Sequence, residues 1–172
     1  MISEEYKTEQ QNLHKNNPNY GVMSVHYAPM VTKLINQLGI TELLDYGAGK
    51  GRLAGAIKPD HEVTVHLYDP GIAELDKTPD SAQFVTCIDV LEHIEPDYLD
   101  AVLDDLQRVT EFFGFFTILT GPAVKTLSDG RNAHITQEPS AWWLPKIQQR
   151  FDLLTFQIQP NGFYVVVRPY GN

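Results

Sequence analysis

Cysteine is nearly missing from this chain, and its scarcity narrows the reading first. The 172 residues hold one cysteine, Cys87. That excludes an internal disulfide framework and a cysteine-rich zinc centre. Long apolar runs are missing too, since none approaches the ~18 residues that cross a bilayer. The opening stretch, MISEEYKTEQQNLHKNN, is polar and lacks the apolar block of a signal peptide. These absences set the expectation of a cytoplasmic chain with no membrane segment, folded as one domain over residues 1–172.

Basic residues are scarce as well. Thirteen Lys and Arg stand against 22 Asp and Glu, a net charge of −9. The imbalance is uneven: residues 1–119 hold 8 basic against 19 acidic residues, and residues 120–172 hold 5 against 3. An acidic body repels a phosphate backbone, so nucleic acid is a disfavoured substrate and a small molecule the expected one. The hydrophobic share of 42% is ordinary for a chain with a real core. The sequence does not fix an oligomeric state.

What is present alternates between two periods. Residues 3–16 read as a polar helix, broken at Asn16-Asn17-Pro18-Asn19. From Tyr27 to Leu38, Met30, Val31, Leu34, Ile35 and Leu38 share one helical face, and Gly39 closes it. Short apolar strands are expected at Leu43–Tyr46, Val63–Tyr68, Phe84–Ile88 and Phe112–Thr120. Pro96 opens a helix whose Leu99, Val102, Leu103 and Leu106 form a face. A helix is expected between Ser140 and Arg150, kinked or delayed by Pro145. Leu153–Gln159 and Phe163–Arg168 read as a hairpin with Asn161-Gly162 in the turn. Strands alternating with helices predict a three-layer, Rossmann-like α/β sandwich, mostly parallel, ending in an antiparallel hairpin.

The chemistry gathers where the first strand ends. Leu43-Leu44-Asp45-Tyr46-Gly47-Ala48-Gly49-Lys50-Gly51-Arg52 is a strand, three alternate glycines and a helix start. Glycine lets backbone turn sharply and lets a ligand approach it. Helix-start N–H groups favour an anionic group such as a carboxylate. Asp69, directly after the second strand, is placed to accept both ribose hydroxyl protons of a nucleoside. A phosphate-binding P-loop fits poorly, because Gly49-Lys50 is followed by glycine and the upstream glycine falls on Leu44. An NAD site is the rival reading. Against it, Asp45 would face a pyrophosphate with its own negative charge, whereas a methionyl ammonium would welcome it.

Asp45-Tyr46-Gly47-Ala48-Gly49-Lys50-Gly51 resembles the first motif of class I S-adenosylmethionine-dependent methyltransferases. Tyr68-Asp69-Pro70 resembles their second. Cys87-Ile88-Asp89-Val90-Leu91-Glu92-His93 resembles the segment after their fourth strand. The match spans roughly residues 20–120. The whole chain is also similar to short bacterial and phage-encoded methyltransferases with Tyr-Gly and Tyr-Ala-Pro upstream and Gly-Arg-Asn-Ala-His downstream. The resemblance implies S-adenosylmethionine as cofactor and S-adenosylhomocysteine as product. It implies that Gly47 and Gly49 line the methionine part and that Asp69 holds the ribose. Pro70 and Ile88 would flank the adenine or the thioether, with Tyr20 and Tyr27 near the methionine end, and Asp45, Gly51 and Asp89 complete the expected cofactor-binding set. Only residues 70–83 separate Asp69 from Phe84, too few for the family's usual helix, strand and helix. The third strand is therefore expected to be missing, leaving one short helix near Ile72–Leu75, with Asp80 or Ser81 as substitutes in reading the adenine amine.

Methyl transfer requires alignment, exclusion of water and removal of the acceptor's proton. His134, His93 and Glu92 are the catalytic candidates. Asp89, Glu92 and His93 fall at i, i+3 and i+4, one face if the segment is helical. With His134 these residue types also suit a divalent cation, but the pattern by itself assigns no metal. Residues 1–40 are expected to cover the cofactor and 120–145 to form a lid and acceptor loop. The expected function is methyl transfer to an oxygen or nitrogen of a small molecule. The alternatives are an NAD-type oxidoreductase and a noncatalytic nucleoside-binding module.

Overall fold

The structure, a computed structural model, describes residues 3–16 and 22–171. Helices α1 (Glu4–Asn16), α2 (Met23–Leu38), α3 (Arg52–Ala56), α4 (Pro96–Val109) and α5 (Ser140–Gln148) surround one sheet. Its strands are β1 (Glu42–Tyr46), β2 (Thr64–Tyr68), β3 (Ala82–Ile88), β4 (Thr110–Leu119), β5 (Phe151–Gln159) and β6 (Gly162–Pro169). The spatial order is β2-β1-β3-β4-β6-β5. Strands β2, β1, β3 and β4 are mutually parallel, and β6 runs antiparallel to both β4 and β5. The sandwich follows from alternation along the strands. Leu44, Tyr46, Val85, Cys87 and Phe116 pack toward α4 and α5. Leu43, Phe84, Ile88 and Phe115 pack toward α2 and α3. Burial pushes the Cys87 thiol well above its usual range, so it sits as an inert core side chain.

Strand β2 is the sheet edge, so no further strand follows it among the described residues. The short helix expected near Ile72–Leu75 is replaced by two tight turns, with Ile72 N–H bonded to Asp69 O and Leu75 N–H to Ile72 O. The connection, residues 69–81, suffices for a crossover only without a helix of full length.

Two further expectations are corrected. Pro145 does not delay α5, which begins at Ser140 and contains it. In the last hairpin the turn is Pro160-Asn161, because Gly162 already pairs with Gln159 and Leu119. Gly162 is needed for close approach: a Cβ there would lie 2.1 Å from Ile118 O. No described helix is long and apolar enough to cross a membrane.

Candidate active site

Strands β2 and β3 pair on opposite sides of β1, so the chain reverses direction across the sheet there. Ligands of open α/β sheets bind at such a point, beyond the carboxyl ends of the strands. The loop after β1 carries Gly47, Gly49 and Gly51 at φ 81°, 53° and 67°. This left-handed run is open to glycine and strained for other residues. Gly47 and Ala48 N–H both bond to Tyr68 O, at 2.8 and 3.0 Å, which ties the loop to the end of β2. A Cβ on Gly47 would lie 2.3 Å from Val90 Cγ2, so that glycine is needed for packing as well as for turning.

A cleft opens above this loop. Gly47, Ala48 and Gly49 form its floor. Asp69, Pro70 and Gly71 close one side, and Ile88, Asp89, Val90 and His93 the other. Gly51 stands outside the lining; it caps α3, and a Cβ there would meet Leu67 Cδ1 at 2.9 Å. Asp69 accepts Gly49 N–H at 2.7 Å on one oxygen and Gly71 N–H at 2.8 Å on the other. It thus clamps two loops and keeps a second lone pair on each oxygen. Ser81 donates to Glu111, and neither it nor Asp80 lines the cleft.

Asp45 lies under the loop, only 2% exposed. Thr86 Oγ1 donates to its Oδ1 at 2.9 Å, and its Oδ2 is buried without a partner. Burial first, and Asp69's charge beside it, push this carboxyl up to about 7 against the lowering effect of Thr86. Tyr27 donates to Gln159 Oε1 at 2.7 Å and packs on Phe115, away from the cleft lining. Tyr20 lies outside the described residues.

Helix α1 forms the roof. Its Tyr6 and Gln10, four residues apart and hydrogen-bonded to each other, face the cleft, joined by Met23 and Ser24 of α2. Four contacts pin α1 across it: Ser3 to Glu95, Lys7 to Asp76, Glu9 to Ser128, and Glu5 to Arg131. Tyr6 packs on Leu127 and Ala133 of the loop after β4. The sequence reading missed Tyr6 and Gln10. Their signal is faint: one aromatic on an otherwise polar helix, with a polar partner one turn later.

The segment after β3 differs from expectation. Asp89 adopts φ 60°, and only Leu91–His93 form a single 3-10 turn, so no helix puts Asp89, Glu92 and His93 on one face. Glu92 turns inward, fully buried, and accepts Leu119 N–H at 2.7 Å. Burial, and then the charge of Asp89, push Glu92 well above the ordinary carboxylate range. Asp89 and His93 instead turn outward to meet His134.

His134 is held by the loop between β4 and α5. Asn132 brackets that loop, its side chain accepting Ala123 N–H and His134 N–H and donating to Ala123 O, each at 2.9 Å. Thr136 ties the far end to Glu92 O and Ile94 O. His134 Nδ1–H donates to Gly121 O at 2.7 Å and His93 Nδ1–H to Ala133 O at 2.7 Å. Carbonyls cannot donate, so in both neutral rings Nε2 carries the lone pair. The rings meet edge to face, 4.8 Å between centroids, and His134 Nε2 lies 4.0 Å from Asp89 Oδ1. Trp143 is core, and Trp142 stacks beside it under Lys146, away from the site.

A second cleft opens beside the first, walled by Thr120–Lys125, His134 and the Pro160-Asn161 turn. Met23, Asp89 and His93 belong to both clefts. The loop expected as a lid therefore forms the second cleft's wall.

No protein-family model matches the chain, and no curated protein sequence matches it. Solved structures match the fold. DhpI in its S-adenosylhomocysteine complex aligns over 97% of this chain and 98% of its own, at 17% identity and TM-score 0.62. The 1,6-didemethyltoxoflavin-N1-methyltransferase of Burkholderia thailandensis, bound to 1,6-didemethyltoxoflavin and S-adenosylhomocysteine, aligns over 95% of this chain and 86% of its own, at 15% identity and TM-score 0.64. The 16S rRNA methylase ArmA aligns over 94% and 91%, at 15% identity and TM-score 0.56. The chain has the fold of these S-adenosylmethionine-dependent methyltransferases, the class I methyltransferase fold.

Proposed function

We propose that the chain is an S-adenosylmethionine-dependent methyltransferase acting on an oxygen or nitrogen of a small molecule. The observation that carries this reading is the meeting of two clefts at Asp89 and His93, one floored by the glycine loop and one by the loop that holds His134. Bound in the first cleft, the cofactor supplies a sulfonium methyl, whose sulfur keeps the bonding pair as S-adenosylhomocysteine leaves. Gly47 and Gly49 admit the methionine part without a Cβ in the way, and Asp69 holds the ribose. Pro70 and Ile88 flank the base, and Asp89 stands at the junction. Helices α1 and α2 exclude water. The Nε2 lone pairs of His93 and His134 face the second cleft's inner end, where an acceptor must lose its proton. Glu92, fully buried and bonded to Leu119 N–H, lines neither cleft. The buried, unpartnered Asp45 Oδ2 favours a cofactor bearing an ammonium over one bearing a pyrophosphate. A small acceptor fits the −9 charge better than ribosomal RNA does. Release of S-adenosylhomocysteine with a panel of small alcohols and amines, set against 30S ribosomal subunits, tests this. Turnover on the subunits alone would overturn the small-molecule reading.

Two expected results concern the cofactor cleft. Asp69→Ala weakens S-adenosylhomocysteine binding by ~1.5–3 kcal/mol, the scale of a hydrogen bond to a charged group. Titration calorimetry reads it, and unchanged affinity would remove Asp69 from the site. Asp45 carries a proton linkage. Its carboxyl titrates near 7 in the free protein, and only the ionised form attracts an ammonium. Binding therefore expels a proton, and affinity rises with pH by up to about tenfold per unit between pH 5 and 7. Asp45→Asn abolishes that slope. A flat profile for the wild type would separate Asp45 from the methionine end.

A further inference from the structure

The two imidazoles and Asp89 share a geometry that proton removal alone does not require. One ligand atom from each of Asp89, His93 and His134 lies within 4.8 Å of the others. Metal-bound histidines almost always donate their second ring N–H to a backbone carbonyl or a carboxylate, which fixes the tautomer and aims the other nitrogen. Both histidines here do so, to Ala133 O and Gly121 O. Asp89 Oδ1 is a buried acceptor without a hydrogen-bond partner, 4.0 Å from His134 Nε2. A cation held between the two imidazoles and Asp89 satisfies the carboxylate oxygen that otherwise has no hydrogen-bond partner.

We infer that Asp89, His93 and His134 form a divalent-cation site at the junction of the two clefts. Two imidazole nitrogens and one carboxylate oxygen favour a first-row ion of the Fe(II), Co(II) or Zn(II) class over Mg(II), which prefers oxygen ligands. Bonds of about 2.1 Å hold neighbouring ligand atoms roughly 3.0–3.4 Å apart, so small side-chain rotations close the set. Glu92 stands outside this group of three: one of its carboxyl oxygens accepts Leu119 N–H, and the other is buried without a hydrogen-bond partner. The site has three protein ligands and an open side toward the second cleft, the arrangement of catalytic rather than structural centres. With a cation bound, the two Nε2 atoms are ligands and not bases, and an acceptor hydroxyl bound on the open side gives up its proton to water near neutral pH. This deepens the methyl-transfer reading and rests on it for the acceptor, but cation binding stands apart from it.

The test separates the two. Protein freed of metal with a chelator is titrated with Co(II), followed by visible absorption, and with Zn(II), followed by calorimetry. One equivalent of either ion is expected to bind, and His134→Ala and Asp89→Asn each to weaken it at least tenfold. His26→Ala, a histidine outside the cluster, is expected to change nothing. Asp89→Asn keeps the side-chain shape, so its loss of binding is not a folding defect. Mg(II) in large excess should not displace Co(II). Equal Co(II) binding by wild type and both cluster variants would overturn the site, as would no binding at all. S-adenosylhomocysteine is titrated into the same chelated protein. Its binding without a cation site sinks this inference and leaves the methyltransferase reading. Cation binding with no S-adenosylhomocysteine binding does the reverse.

Discussion

Gly47→Val is expected to weaken S-adenosylhomocysteine binding by at least ~100-fold, beyond detection in a routine titration. Three effects act in one direction. The residue sits at φ 81°, where a β-branched side chain is strained. Its Cβ would lie 2.3 Å from Val90 Cγ2, so Val90 must move. Both residues line the same cleft, so movement of either fills space the ligand needs. The clash is local and at the surface of the cleft, so the fold should persist with a lowered melting temperature. Gly49→Val acts through φ 53° and the N–H that Asp69 accepts, with the same outcome expected. Calorimetry on folded variant protein, verified by circular dichroism, checks both. Wild-type affinity in Gly47→Val would reduce the glycine loop to an ordinary turn.

His134→Ala is expected to lower turnover by ~10²-fold or more while cofactor affinity changes little. The asymmetry follows from position. His134 lines the second cleft and not the first. The substitution removes the Nε2 lone pair at the junction and leaves the glycine loop, Asp69 and Asp45 untouched. It also leaves Gly121 O without its donor, so some loop stability is lost. His134→Gln keeps a donor for that carbonyl without the imidazole. If Gln restores turnover, the role of His134 is to fix the loop. If both variants lose turnover alike, the imidazole itself is needed at the junction, as the base or as a cation ligand, and the Co(II) titration separates the two.

The sheet was readable because its strands are short, apolar and separated by helices with one apolar face. Leu99, Val102, Leu103 and Leu106 are all buried, as their spacing requires. The missing outer strand was readable by length alone, since residues 70–83 cannot hold a helix, a strand and a second helix. The local geometry after β3 was not readable. Spacing at i, i+3, i+4 describes one face only if the segment is helical, and Asp89 at φ 60° breaks that condition. Tertiary pairing decides it: Thr117 Oγ1 accepts Asp89 N–H at 3.0 Å from the neighbouring strand. The hairpin turn was misplaced by one residue for a similar reason, because Gly162 answers to strand β4 rather than to the turn. Tyr6 and Gln10 were not readable as cleft residues. A polar helix shows which side it buries only through the loop it meets.

The cofactor claim is tested most directly by calorimetry of the wild-type chain with S-adenosylhomocysteine and, separately, with NAD. A one-to-one complex with S-adenosylhomocysteine in the micromolar range or tighter, and no heat with NAD, is the predicted result. Binding of NAD, or of neither ligand by folded protein, would contradict it.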